Sequence, residues 1–178
     1  DNGNGSLMRI LPLVLVTKNL PINERFELTQ KVSSITHRHI RSVIACFYYL
    51  EFAIKIIEGK SFETTYAELQ LEIPVFLESI QINPNEIAKY SRLLHYNIID
   101  LNEEDIKSSG YVVDTLEASI WCLLTTNNYK EAVLKAVNLG SDTDTTAVVT
   151  GGWAGVFYGG ESMPENGVNE LARKNDII

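Results

Sequence analysis

Between Arg38 and Ile57, the apolar residues Ile40, Val43, Ile44, Phe47, Leu50, Ile54 and Ile57 recur at three- and four-residue steps. That spacing follows the 3.6-residue period of a helix, so the segment is expected to form one long helix with a continuous buried stripe. Gly59 then supplies its stop. Glu51 and Lys55 interrupt the apolar run well short of the roughly 18 clean residues that a membrane helix needs, so nothing here is expected to span a bilayer.

The rest of the pattern is helical almost throughout. A helix is expected from Ser6 to about Leu20, with Ser6 as its cap and Pro12 kinking or restarting it. Asn83-Pro84-Asn85-Glu86 orders an N-cap, a proline at N1 and a glutamate at N3, opening a helix that carries Ile87, Leu93 and Leu94 inward. Asn128-Tyr129-Lys130-Glu131 repeats that capping logic before Ala132 to Leu139. The Ser108-Ser109-Gly110 turn precedes a helix from about Val112 to Leu124.

The last strong element starts at Asp142, with Ala147, Gly151 and Gly155 at i, i+4 and i+8. Glycine in mid-helix costs about 0.5 to 1 kcal/mol relative to alanine. Gly151, Gly152 and Gly155 therefore predict the tight approach of a neighbour and a central place for this helix. Tyr111–Val113 and Val148-Val149 are β-prone, but no period-two run is long enough to build a sheet. The expected fold is all-α, a single domain over 1–178.

A chain of 178 residues with 45% hydrophobic against 21% charged residues can bury a real core. Its net charge of −8 would repel a phosphate backbone, and no cluster of Lys and Arg overrides that, so nucleic acid is not an expected partner. Cys46 and Cys122 sit in apolar helical patterns and are expected to be buried thiols, which fits a reducing cytosol and a cytoplasmic protein. Asp1-Asn2-Gly3-Asn4-Gly5 shows no initiator methionine and no signal-like core, so the chain is expected to begin inside a longer protein.

Chemistry concentrates in Asn138-Leu139-Gly140-Ser141-Asp142-Thr143-Asp144-Thr145-Thr146-Ala147. Asp142, Asp144 and Thr145 place carboxylate, carboxylate and hydroxyl at i, i+2 and i+3 of a turn entering a helix. Such a turn can aim three hard oxygens at one point and suits Mg²⁺ or Mn²⁺. Asp142 or Ser141 serves equally as a plain N-cap, but a cap consumes one oxygen and this turn has a surplus.

Gly3-Asn4-Gly5-Ser6 is a glycine-spaced loop feeding a helix start, where backbone N–H groups can receive phosphate or ribose oxygens. A plain turn explains the same composition. Arg9, one turn on, can pair with an anion or form a surface salt bridge. His37 and His39 stand at i and i+2, which do not share a helix face, so a zinc pair is not expected, although one ring can line a pocket. Thr36 is the expected cap of the long helix. Tyr111 follows a turn and can stack on or hydrogen-bond a ligand, while Asp114 and Glu117 read as a solvated face or a buried salt bridge.

Four motifs then fall together: Gly-Asn-Gly-Ser-Leu-Met-Arg at 3–9, Thr-His at 36–37, Ser-Gly-Tyr-Val-Val-Asp-Thr-Leu-Glu-Ala at 109–118, and Asn-Leu-Gly-Ser-Asp-Thr-Asp-Thr at 138–145. In that order and spacing the chain resembles the ADP-ribosylglycohydrolase family, relatives of the dinitrogenase-reductase-activating glycohydrolase. The resemblance implies an orthogonal multi-helix bundle and a hydrolase with a dinuclear Mg²⁺ or Mn²⁺ centre. Its substrates would be ADP-ribosylated, cleaved at the N- or O-glycosidic bond. It also implies that Asp142, Asp144 and Thr145 are metal ligands and that Gly3, Asn4, Gly5, Ser6, His37 and Tyr111 line the ADP-ribose pocket.

This chain departs from the family in two places: Ser141 stands where relatives usually have glycine, and Ile40 where many have proline. Relatives also carry an N-terminal segment with a Thr-Asp-Asp that supplies the other half of the metal shell, and no Asp-Asp occurs in this chain. The chain is therefore expected to be the C-terminal part of such a domain and catalytically silent alone. The alternative is a non-catalytic ADP-ribose-binding or structural relative of the same fold.

Overall fold

Local caps and stops set the order of elements. The computed structural model describes residues 2–170 and 172; Asp1 lies outside the described residues. Its α-helices are α1 (Val14–Thr17), α2 (Ile22–Ser33), α3 (Ile40–Ile57), α4 (Phe62–Ser79) and α5 (Pro84–Ile87), followed by α6 (Ser91–Leu94), α7 (Val112–Leu124), α8 (Tyr129–Asn138), α9 (Thr143–Tyr158) and α10 (Glu165–Asn169). Short 3-10 turns join several of them. Among the described residues the fold is all-α, with a single isolated antiparallel bridge between Gly3 and Tyr111.

α3 is the axis of the molecule. Every residue from Ser42 to Ile56 is buried, so the helix is enclosed on all sides, where the periodicity predicts one stripe. α2, α4, α7 and α9 pack around it. Its two interior charges are neutralised by neighbours. Arg25 of α2 forks onto Glu51 at 2.6 and 2.7 Å, and Lys55 reaches Glu68 and Glu72 of α4 at 2.7 and 2.9 Å. Burial still pushes the Glu51 carboxyl above its ordinary range, because desolvation outweighs the Arg25 bonds. Gly59, at φ +90°, ends the helix as expected.

The cap of α3 is His39, whose Nδ1 accepts the Arg41 N–H at 3.2 Å; Thr36 does not cap it. The segment after Ser6 also differs from a continuous helix. It runs as two 3-10 turns, Leu7–Arg9 and Leu11–Leu13, before the single turn of α1. Pro12 sits at the start of the second turn, where its missing N–H is harmless. Ser6 makes no side-chain cap.

α7 occupies Val112–Leu124, as the turn before it predicts. Asn83 caps α5 and Asn128 caps α8, the latter through the Glu131 N–H at 2.9 Å. The glycines of α9 mark close contacts. A Cβ at Gly152 would collide with the Tyr49 hydroxyl and the Leu11 side chain, and one at Gly151 would stand 3.4 Å from Tyr129 and Val133 of α8. Trp153 Nε1 donates to the Tyr49 carbonyl at 3.0 Å while Tyr49 donates to the Val149 carbonyl at 3.1 Å, lacing α9 to α3. Val148, Val156 and Phe157 nevertheless remain partly exposed, so α9 flanks the axis that α3 forms.

Candidate functional site

The turn entering α9 is clamped to the turn entering α7. Ser108 Oγ donates to the Gly140 carbonyl at 2.6 Å, and the Asp142 N–H donates to the Ser108 carbonyl at 2.9 Å. Gly140 lies at φ +83° and Ser141 at φ +58°, so the serine occupies a left-handed position that glycine fills without a Cβ penalty.

Asp142 begins α9, but its side chain does not cap the helix. Instead Oδ1 accepts the Thr145 hydroxyl at 2.9 Å and Oδ2 accepts the Asn4 amide at 2.7 Å. Its carboxyl is held below the usual carboxylate range. The Asn4 amide is the largest cause, opposed by desolvation and aided by the Thr145 hydroxyl and the Asp144 carboxyl within hydrogen-bonding reach. The Asp142 carboxylate and the Thr145 hydroxyl are thus joined, with Thr145 buried and Asp144, between them in sequence, exposed. Among the described residues no group of three His, Cys, Asp or Glu forms a metal cluster; the oxygens here come from two carboxylates and a hydroxyl.

Residues 3–6 reach every other part of the site. Gly3 pairs with Tyr111 through the bridge, and the Asn4 N–H donates to the Gly110 carbonyl at 3.2 Å. Asn4 Nδ2 donates both to Asp142 and to Thr115 Oγ1, the latter at 2.9 Å. Gly5 packs under the His37 ring so closely that a Cβ there would stand 2.7 Å from Cε1. Ser6 departs from the expected pocket lining: it is fully buried, and its hydroxyl lies 3.1 Å from Ser33 Oγ and 3.4 Å from Cys46 Sγ. Its side chain faces the interior.

His37 follows the end of α2, where Ser33 Oγ donates to its carbonyl at 2.9 Å. Among the described residues Arg9 is held by hydrogen bonds and not by an ion pair. It donates to the Val32 carbonyl at 3.1 Å and to Thr36 Oγ1 at 2.7 Å, and Thr36 in turn lies 2.9 Å from His37 Nδ1. Asp114 accepts the Ser109 hydroxyl at 2.6 Å, and Glu117 is buried 3.4 Å from Arg92, the salt-bridge alternative of the sequence.

Two participants escape sequence reasoning. Thr115, buried on α7, holds Asn4 although it sits unremarked inside the 109–118 motif. Arg41 places its guanidinium beside the Tyr111 hydroxyl while forking onto Glu86 at 2.6 and 3.0 Å, and the Glu86 bonds are the main reason its pKa is raised. An apolar groove of about 400 Å³ lies elsewhere, lined by Tyr129, Val133, Leu134, Met163 and Val168, and no predicted site residue borders it.

The model of the ADP-ribosylglycohydrolase family matches residues 1–178. This chain belongs to the ADP-ribosylglycohydrolase family. It is 31% identical over 176 residues to an ADP-ribosylarginine hydrolase of Serratia proteamaculans, covering 98% of this chain and 44% of that protein. It is 30% identical to the ADP-ribosyl-dinitrogen reductase glycohydrolase of Rhodospirillum rubrum, over 98% of this chain and 52% of that one. Among solved structures, an ADP-ribosylglycohydrolase-related protein complex superposes with a TM-score of 0.80 at 27% identity, covering 99% of this chain and 57% of that chain. This chain thus spans about half the length of the curated relatives it matches.

Proposed function

We propose that this chain forms the part of an ADP-ribosylglycohydrolase that grips the ADP-ribosyl group and supplies half of a divalent-cation shell. The complete protein would cleave the N- or O-glycosidic bond of ADP-ribosylated substrates. One observation carries the proposal: the 3–6 loop joins Tyr111, His37 and the Asp142 turn into a single site, in a chain matched by the family along its whole length. The two relatives named above act, by name, on different ADP-ribosylated partners, so ADP-ribose is the ligand they share.

Asp142, Asp144 and Thr145 would hold Mg²⁺ or Mn²⁺, since their oxygens are hard donors and the Asp142 carboxyl favours its ionised form. A bound ion would supply Lewis-acid charge at the ribose hydroxyls and at an attacking water. Gly3, Asn4 and Gly5 would line the space for the ribose and phosphate oxygens, Asn4 fixing the loop because its N–H is given to the Gly110 carbonyl, with His37 and Tyr111 on two sides of the loop as orienting walls. Three protein ligands leave an octahedral ion short, so the complete domain must contribute others, and this chain alone is silent as a catalyst. The buried thiols of Cys46 and Cys122 support a reducing, cytoplasmic setting.

Calorimetric titration of ADP-ribose into the wild-type chain and Asp144→Ala, with and without Mn²⁺, tests the proposal. Wild type should bind ADP-ribose, more tightly with Mn²⁺, and Asp144→Ala should lose only the Mn²⁺ increment. No ADP-ribose binding by wild type in saturating Mn²⁺ would overturn the ligand assignment, and turnover of ADP-ribosylarginine by this chain alone would overturn its silence.

A further inference from the structure

Resting on the cation assignment above, we infer that Thr115, which lies one residue removed from the oxygen cluster, is a positioning residue for the Asp142 carboxylate and acts through Asn4. The geometry is directional. Thr115 Oγ1 has one hydrogen, and it is committed to the Ser109 carbonyl at 3.0 Å, with the Tyr111 carbonyl at 3.3 Å. Only lone pairs of Thr115 are left to face Asn4. The Asn4 amide must therefore present its nitrogen, which donates one hydrogen to Thr115 at 2.9 Å and the other to Asp142 Oδ2 at 2.7 Å.

The reversed amide would set its oxygen against both the Thr115 lone pairs and the Asp142 carboxylate, which is repulsive at each end. Polarity thus runs from the Ser109 carbonyl through Thr115 and Asn4 to Asp142. The anchoring residue stands on a rigid element: Thr115 is fully buried in α7, and Asn4 is 9% exposed. With Oδ2 held by Asn4 and Oδ1 by Thr145, the carboxylate has one orientation before any ion arrives. Groups that orient a ligand without touching the metal change affinity by roughly 10- to 100-fold when lost. Nothing in the spacing of the sequence shows this link, because Asn4 and Thr115 are 111 positions apart and Asn4 and Asp142 are 138 apart.

The test is Mn²⁺-induced paramagnetic broadening of the 142–146 backbone amides in the full 178-residue chain, a readout that needs no turnover. Wild type, Thr115→Val, Thr115→Ser, Asn4→Ala and the Thr115→Val/Asn4→Ala double variant are compared by the Mn²⁺ concentration that half-broadens these signals. Thr115→Val should bind about tenfold more weakly, Thr115→Ser should return to within about threefold of wild type, and the double variant should be no weaker than Asn4→Ala. Near-UV circular dichroism confirms folding, and Thr115→Ala replaces the valine variant if that one does not fold. Unchanged binding in the hydroxyl-less variant, or losses that multiply in the double variant, would overturn the relay while the cation assignment stands. Wild type that shows no saturable broadening would overturn the cation assignment itself and the relay with it.

Discussion

α3 and the 3–6 loop are held by opposite means. α3 is enclosed by apolar side chains from four helices, and its two charges are matched by partners at 2.6 to 2.9 Å. The loop is held by a few contacts from three segments: Tyr111 at Gly3 and Thr115 at Asn4 from the start of α7, Asp142 at Asn4 from the turn before α9, and the His37 ring packed on Gly5. Many weak, non-directional contacts make the core tolerant of any one loss of direction but sensitive to lost volume. A few directional contacts make the site sensitive to geometry at little cost in overall stability.

That contrast predicts a ranking of effects. Trp153, fully buried between α9 and α3, belongs wholly to the core, and Trp153→Ala should cost about 4 kcal/mol in urea denaturation. A cost near 1 kcal/mol would mean that the seam is not part of the cohesive core.

Glu117 marks the border, since α7 carries Thr115 toward the site and Glu117 toward the interior. Burial pushes the Glu117 carboxyl from 4.5 up to about 7, against the pull of Arg92. With its folded pKa raised, its stabilising contribution is present below pH 4.5 and is lost as pH rises through 7. A shift of this size corresponds to about 3 kcal/mol. Glu117→Gln should flatten the stability profile in that window, as measured by unfolding at a series of pH values, and an unchanged slope would refute the assignment.

On the site side, effects should be smaller. Gly5→Ala forces the His37 ring away and should cost about 1 to 2 kcal/mol while shifting the His37 ring resonances. Unmoved resonances would show that the loop yields without disturbing histidine. Ser141→Gly should raise stability by about 0.5 to 1 kcal/mol, because it removes a Cβ from φ +58°, and a lower melting temperature would show that the serine has a compensating role.

What could be read along the chain was local. The α7 boundaries, the Asn83 and Asn128 caps and the Gly59 stop depend on residues within one turn of each other. Ser6 to Leu20 broke into short turns because proline at position 12 removes a helix donor and Ser6 is drawn inward by Ser33 and Cys46, neither of which is nearby in sequence. The cap of α3 passed from Thr36 to His39 for a similar reason: Thr36 is taken by Arg9.

By itself, the sequence determined that the chain is all-α, where α3, α7 and α8 run and where α5 and α9 start, that Glu51 and Lys55 interrupt the longest apolar run, and which residues, at 3–6, 37, 111 and 142–145, are the candidates for chemistry. Periodicity and capping suffice for that, because they act over three to four residues. Only the tertiary structure decided that α3 is enclosed on every side and that Asp142 is turned toward Asn4 and Thr145 rather than toward its own helix N-terminus. It also brought in Thr115 and Arg41. A side-chain hydrogen bond depends on the distance and angle between its groups and not on their separation along the chain, so a pair 138 positions apart leaves no period to be read.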